Sequence, residues 1–272
     1  MGVNMTKDSY EIDEVIETLE GTQNKSSAYD EFERALSDAF DLLGFETELL
    51  GGSGDTDVFL SANIGNESFK VTVDGKTSSK GKISDAQIDW LSLKDHKEKN
   101  NADYTIIVGP NFAGGNLEKR ARDHNIGLLR VDELVKLLNT HKKFPFTLVE
   151  LKDLIAGEST SMKNQVNDLL AQNNQRIHSL KQFKTILEEM ISSQDDLGYF
   201  TFESIARGNK IRDTDVDYKD IRALIELLNL SFINCIKEIE NGRYILTMNI
   251  KDISNIFEKI SIHLSSREIS SS

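Results

Sequence analysis

Residues 69–79 read FKVTVDGKTSS, and this stretch decides how the first half of the chain folds. Apolar residues, beginning with Phe69, alternate with polar ones, which is typical of a β-strand with one buried face. The polar face ends with Asp74 and Lys76, and only Gly75 separates them. Because every second side chain of a strand points to the same face, the carboxylate and the ammonium are predicted to lie side by side. A turn requires no such pair, so this strand end is the first candidate functional site.

A second strand is predicted at residues 56–62, and the short connection NIGNE makes the two strands a hairpin. Hairpin pairing brings Asp57 alongside Asp74 near one end of the sheet. Two carboxylates and the main-chain carbonyl of Gly75 form an all-oxygen site suited to Mg²⁺, which retains several waters. Lys76 would orient or deprotonate an attacking water, or neutralise charge developing on a phosphate. The alternative is a surface ion pair, which contributes about 0–1 kcal/mol and implies no function.

The elements around this hairpin predict a mixed α/β domain. In order they are a helix at 29–43, a strand at 45–50, the hairpin, a helix at 84–99 capped by Ser84, a strand at 102–110, a helix at 116–125, a strand at 126–131 and a helix at 132–141 capped by Asp132. The alternation of strand and helix after residue 102 implies a right-handed crossover and at least one parallel pair of strands.

The pattern changes near KKFPF at 142–146. The later predicted elements are a long helix at 161–193, an extended segment at 199–205, a helix at 217–230, two strands at 232–248 about an Asn-Gly turn, and a helix at 250–264. Helices followed by a hairpin in a small module resemble a winged helix. Basic residues in and before the 217–230 helix are interspersed with aspartates, so DNA reading and protein docking are both open interpretations of this module.

The overall composition is that of an ordinary globular chain with a net charge of −13 over 272 residues. Residues 1–31 contain two basic and eight acidic side chains, so much of the excess charge belongs to the start of the chain. The total therefore neither supports nor excludes nucleic acid as a partner. Apolar runs are far shorter than the ~20 residues of a membrane span, and the first residues do not resemble a signal peptide. Cys235 is the single cysteine, which excludes an intramolecular disulfide, and we expect a cytoplasmic protein without a membrane partner.

The order of the acidic and basic residues resembles the motif of the PD-(D/E)XK nuclease superfamily. Asp57, sixteen further residues and the Asp-Gly-Lys run at 74–76 match its spacing, although Thr56 stands where the motif has proline. The order of elements over residues 29–141 is similar to the cleavage domains of FokI-like type IIS and Mrr-like restriction enzymes. The resemblance covers about two fifths of the chain.

This resemblance implies a restriction-endonuclease-like mixed sheet flanked by helices, followed by a helical, winged-helix-like C-terminal domain. The implied activity is Mg²⁺-dependent hydrolysis of phosphodiester bonds in DNA, with Asp57 and Asp74 as metal ligands and Lys76 acting on the water. Glu33 resembles the acidic residue that these nucleases often place near the metal, although a solvated helix face explains it nearly as well. Gln87 resembles a glutamine found just after the lysine strand, and its alternative is a capping or solvent-facing role.

The predicted domains are an acidic leader at 1–28, a nuclease domain at 29–145, a helical linker at 146–194 and a winged-helix-like domain at 195–272, which would serve recognition, dimerisation or partner binding. The expected partners are double-stranded DNA and either a second copy or a partner subunit, because one metal site per chain cuts one strand. A restriction or phage-defence enzyme is the favoured function. The alternatives are a partner-dependent nuclease subunit of a defence or repair system and a catalytically idle nuclease-like binding subunit.

Overall fold

The computed structural model describes residues 7–50, 56–157, 161–212 and 214–265. The chain divides into two compact units, Met1–Ile177 and His178–Ser272. The predicted domains at 1–28 and 195–272 are each only partly within the described residues. Among the described helices, none has the length and apolar character needed to cross a membrane.

The first unit is built on one five-stranded sheet in the order β1-β2-β3-β4-β5. The strands are β1 at Glu46–Leu49, β2 at Val58–Ile64, β3 at Glu67–Gly75, β4 at Tyr104–Gly109 and β5 at Ile126–Arg130. Strand β2 runs antiparallel to both β1 and β3, whereas β3, β4 and β5 are parallel. The predicted hairpin, the parallel crossovers and the mixed α/β class are confirmed.

Helices cover both faces of this sheet. They are α1 at Lys7–Thr22, α2 at Tyr29–Leu42, α3 at Trp90–Lys99, α4 at Asn116–Asp123, α5 at Val131–His141, α6 at Leu148–Ala156 and α7 at Lys163–Leu197. Ile106 and Val108 of β4 point into a large core cluster, which also receives buried residues of α1, α2, α5, α6 and the start of α7. Ile107 points into a smaller cluster that contains residues of α3 and α4. The sheet is therefore the middle layer of three.

Strand β3 is buried on both faces near its end, so the prediction of one exposed face is wrong there. Thr72 and Asp74 are only 1% and 7% exposed, although both lie on the polar face. The hydroxyls of Thr72 and Thr105 are 2.8 Å apart and form a hydrogen bond, which satisfies both groups away from water. The reason is topological: β3 is the central strand, and α3 packs against the face that alternation alone marks as polar.

Two helix starts differ from the predictions. The chain makes a short 3-10 turn at Asp85–Gln87, and α3 begins only at Trp90. Its N-cap is Asp89, whose carboxylate accepts the main-chain N–H groups of Leu91 and Ser92, so Ser84 does not cap this helix. Because the helix starts later, Trp90 is buried and Leu91 is 69% exposed.

Helix α5 begins one residue earlier than predicted. Val131 is its first residue and is fully buried, and Arg130 occupies the N-cap position. Asp132 therefore lies in the first turn of the helix and not at the N-cap position. Its negative charge is favourable there because it is close to the helix N-terminus.

Helices at both ends of the first unit contribute to its core. Ile12 and Leu19 of α1 are buried within the large cluster, although they belong to the range predicted as a leader. Helix α6, which lies within the range predicted as a helical linker, adds Leu151 and Leu154. Met162 also packs into this cluster, just before α7 begins.

The second unit contains the end of α7, α8 at Phe202–Ala206, α9 at Tyr218–Leu228, the antiparallel strands β6 at Ile236–Glu240 and β7 at Arg243–Leu246, and α10 at Ile250–Ser265. The hairpin turn is confirmed, with Gly242 in the left-handed region at a φ of 73°. The prediction of an extended segment at 199–205 is wrong after Thr201, because α8 begins at Phe202. Thr201 caps α8 by accepting the N–H of Ser204, and burial of Ile205 then favours the helix.

Candidate active site

Helix α2 packs directly against the end of β3. A Cβ atom placed on Gly75 would lie 2.8 Å from Cδ1 of Leu36 and 3.4 Å from the ring of Phe32. Both of these side chains are fully buried. The glycine between the aspartate and the lysine therefore allows α2 to approach the strand. This approach brings Glu33, on the same helix, towards the strand end.

The predicted strand-end residues lie together. The Nζ atom of Lys76 is 2.8 Å from Oδ1 of Asp74 and 2.7 Å from its Oδ2. Asp57 accepts the main-chain N–H of Gly75 at 2.7 Å through its Oδ2. The main-chain N–H of Lys76 donates to the carbonyl of Val108 on β4 at 2.8 Å, which fixes the backbone beyond the end of β3.

Thr56 also belongs to the site, although the sequence alone marked it only as the residue that replaces the proline of the PD-(D/E)XK motif. It is 1% exposed, and its hydroxyl donates to the carbonyl of Val73 at 2.9 Å. The sequence feature that could have identified Thr56 is its position as a small polar residue directly before the candidate ligand Asp57. Its partner could not be identified without the register of β2 against β3.

The carboxylates of the site repel one another. Burial, followed by the negative charges of Asp74 and Glu33, raises the pKa of Asp57 to about 7, while Lys76 and the N–H of Gly75 act in the opposite direction. The pKa of Glu33 is also raised, by burial, Asp30 and Asp74, and Lys76 opposes this shift. These mutual effects show that Glu33 belongs electrostatically to the same cluster.

Lys76 is held in its charged form. Burial alone would lower the pKa of its ammonium, but the ion pair and hydrogen bond with Asp74 outweigh burial, and the pKa is raised. Asp57 and Glu33 act in the same direction. One ammonium thus faces three carboxylates, and the cluster has an excess of negative charge when these groups are ionised.

The donor set fits a hard divalent cation. Both oxygens of Asp74 contact Lys76, but only Oδ1 has hydrogen-bond geometry, and Oδ2 receives no directed hydrogen bond from the described residues. In the described ranges, no group of three or more His, Cys, Asp or Glu side chains is arranged so that it could hold a metal ion by itself. An ion held here would therefore need main-chain, water or substrate oxygens as well, which is usual for Mg²⁺.

Gln87 is not brought into this cluster. Its side-chain oxygen accepts the main-chain N–H and the hydroxyl of Ser84, both at 2.9 Å, and the residue is exposed. The glutamine therefore stabilises the 3-10 turn before α3, which is the capping alternative that the sequence left open.

The loop after Lys76 is fastened to the α1–α2 connection. The main-chain N–H of Ser78 donates to the carbonyl of Gln23 at 3.0 Å, and the hydroxyl of Ser78 donates to the carbonyl of Lys82 at 2.9 Å. Ser78 is buried by these contacts, whereas Lys80 and Lys82 are exposed. Two cationic side chains therefore face solvent on the loop that leaves the site.

Comparison with known protein families agrees with this geometry. The family model described as the FokI cleavage domain matches residues 4–161, which is more than half of the chain. The chain belongs to the FokI cleavage-domain family. The match extends over α1 and α6, in agreement with their contributions to the core, and it makes the first unit a nuclease-type domain.

Two solved structures of the FokI restriction endonuclease are also similar to the chain. The first has a TM-score of 0.46 and 19% sequence identity, and the match covers 56% of this chain and 31% of that one. The second, bound to DNA, has a TM-score of 0.43 and 18% identity, with 56% and 33% covered. The chain therefore spans about a third of the length of these structures. No curated protein matched it significantly.

Proposed function

We propose that this chain is a Mg²⁺-dependent endonuclease that hydrolyses phosphodiester bonds in double-stranded DNA, as part of a restriction or phage-defence system. The observation that carries the proposal is the cluster at the end of β3, where the Lys76 ammonium faces the buried Asp74 and the half-buried Asp57 and Glu33. Three carboxylates close together and partly shielded from water repel one another, and the single ammonium of Lys76 does not balance their charge. A divalent cation would supply the missing positive charge.

Asp57 and Asp74 would hold the metal, and the main-chain carbonyl of Gly75 would assist. Oδ2 of Asp57 is engaged by the N–H of Gly75, so its Oδ1 is the oxygen that we assign to the metal. Glu33 would act from the neighbouring helix as an auxiliary acid of the same cluster. Bound Mg²⁺ would act as a Lewis acid on the scissile phosphate.

Lys76 would place positive charge beside the phosphate and orient the attacking water. Its pKa is raised by the surrounding carboxylates, which keeps the amine protonated as long as no metal ion balances their charge. A protonated amine can orient the water and neutralise charge on the phosphate but cannot abstract a proton, so we assign Lys76 the first two roles. The exposed Lys80 and Lys82 would contact the DNA backbone next to the scissile bond.

We further propose that the predicted 195–272 range is a winged-helix-like module that serves recognition, dimerisation or partner binding. The order α8, α9, hairpin and α10 supports this assignment. A dimer or a partner subunit would supply the second active site that a double-strand cut requires.

The decisive experiment is digestion of supercoiled plasmid with Mg²⁺ or with EDTA, using the wild type, Asp74→Asn and the control Asp103→Asn. Asp103 accepts the main-chain N–H of Lys70 at 2.8 Å, so the control changes an aspartate that also bonds to β3. We expect Mg²⁺-dependent cleavage, reduced by more than about 100-fold in Asp74→Asn and nearly unchanged in Asp103→Asn. Mg²⁺-dependent cleavage that persists in Asp74→Asn would overturn the site, and an inactive wild type would contradict a nuclease that is complete in itself.

A further inference from the structure

Side chains continue the pairing of β2 with β3 beyond the point where the main-chain ladder ends. The last paired residues are Val58 and Val73. Beyond them, the hydroxyl of Thr56 donates to the carbonyl of Val73 at 2.9 Å, and Asp57 accepts the N–H of Gly75 at 2.7 Å. The two side chains therefore hold this part of the chain against β3.

The hydrogen bond from the Thr56 hydroxyl to the Val73 carbonyl lies next to both proposed metal ligands in the sequence. Thr56 immediately precedes Asp57, and Val73 immediately precedes Asp74. One hydrogen bond thus joins the residues before the two carboxylates and limits how far these can separate. Because the carboxylates repel each other, their backbones require such a restraint for both to face one cation.

We propose that Thr56 is a positioning residue that sets the separation of Asp57 and Asp74 and thereby the affinity of the site for a divalent cation. This inference rests on the proposed function of the site. Thr56 acts through the carbonyl of Val73 and not by contact with substrate or metal. Loss of a group that orients metal ligands typically weakens metal binding by about 10–100-fold.

A purely structural role makes a different prediction, and Thr105 provides the matched control. Thr105 is also buried, and its hydroxyl forms a hydrogen bond with that of Thr72 at 2.8 Å, elsewhere in the same sheet. Thr56→Val and Thr105→Val each remove one buried hydroxyl and preserve the branched shape. A general loosening of the sheet would affect both variants alike, whereas positioning of the ligands would affect only the first.

The test is Mn²⁺ binding to the full chain by isothermal titration calorimetry without DNA at pH 8. The variants are Thr56→Val, Thr56→Ser and Thr105→Val, and urea unfolding identifies conditions in which each is folded. We expect Thr56→Val to bind about 10–100-fold more weakly than the wild type. Thr56→Ser, which retains the hydroxyl, and Thr105→Val should bind Mn²⁺ nearly as tightly as the wild type. In plasmid cleavage, higher Mg²⁺ should restore the rate of Thr56→Val.

Three results would overturn the inference. Unchanged Mn²⁺ affinity in Thr56→Val, with normal wild-type binding, would remove the role of Thr56 and leave the proposed nuclease function intact. Equal weakening in Thr56→Val and Thr105→Val would show general loosening of the sheet. Weakening in Thr56→Ser as large as that in Thr56→Val would show that the hydroxyl alone does not set the affinity and would assign the effect to packing of the whole side chain. An absence of Mn²⁺ binding by the wild type would instead remove the proposed metal site itself.

Discussion

The two ends of β3 carry the same hydrogen bond in different surroundings. At the carboxyl end, Oδ2 of Asp57 accepts the main-chain N–H of Gly75 at 2.7 Å. Near the amino end, Oδ2 of Asp103 accepts the main-chain N–H of Lys70 at 2.8 Å. Asp57 directly precedes β2 and Asp103 directly precedes β4, so each hydrogen bond holds the start of a neighbouring strand against β3.

Only the carboxyl end gathers further charges. Asp57 is affected by Asp74, Glu33 and Lys76, and burial strengthens these interactions by excluding water. Asp103 is exposed to solvent. An aspartate bonded to a strand is thus not a functional signal by itself. The signal is a group of carboxylates that are close together and at least half-buried, because their mutual repulsion lowers stability unless a ligand compensates it.

Removing the ammonium should produce the largest difference between the two ends. Lys76→Met leaves the buried carboxylate of Asp74 without its counter-charge, so we expect the free energy of unfolding at pH 8 in EDTA to fall by about 3 kcal/mol. Plasmid cleavage should fall by more than about 100-fold. Lys70→Met, on the same strand near its other end, should change stability by only about 0.5 kcal/mol. Urea unfolding and plasmid digestion provide the measurements, and equal losses in the two variants would contradict the special role of the carboxyl end.

Adding one methyl group to Gly75 should have the next largest effect. The new Cβ of Gly75→Ala would lie 2.8 Å from Leu36, and overpacking of this kind costs about 2 kcal/mol. It should also displace Glu33 and reduce cleavage. The control is Gly21→Ala in α1, where a Cβ meets no atom within 4 Å and helix propensity should raise stability by about 0.5–1 kcal/mol. Thermal unfolding that shows Gly75→Ala to be as stable as the wild type would contradict the close approach of α2.

The smallest expected effect is a pH dependence of stability in EDTA. The pKa of Asp57 in the folded protein is raised to about 7, so between about pH 4 and pH 7 the folded state holds a proton that the unfolded chain has released. The free energy of unfolding therefore decreases as pH rises through this window. Asp57→Asn has no such proton, so its stability relative to the wild type should increase by about 1–2 kcal/mol from pH 5 to pH 8.

Urea unfolding at several pH values measures this difference. Asp103→Asn corrects for the general effect of exchanging an aspartate that accepts a main-chain N–H from β3. A difference between Asp57→Asn and the wild type that stays constant from pH 5 to pH 8 would show that Asp57 does not titrate in this range. Because protons and Mg²⁺ compete for the same carboxylate, the metal affinity of the wild type should also decrease as pH falls below about 7.

Much of the first unit could be predicted from short-range patterns. Alternation identified β3, and the register of its hairpin with β2 placed Asp57 beside Asp74. The period of apolar residues identified the helix at 29–43, and Phe32 and Leu36 of α2 are fully buried. Residues 74–76 also carried the resemblance that the family match confirms.

The sequence by itself determined the elements, the hairpin and the shared face of Asp74 and Lys76, because side-chain direction and helical period depend on neighbours in the chain. The tertiary structure decided whether that polar face is exposed, since its cover comes from α3 and from the position of β3 at the centre of the sheet. It also decided that Gln87 serves the turn before α3 and that Thr56 reaches the carbonyl of Val73. These outcomes depend on contacts between residues far apart in sequence, which no local pattern contains.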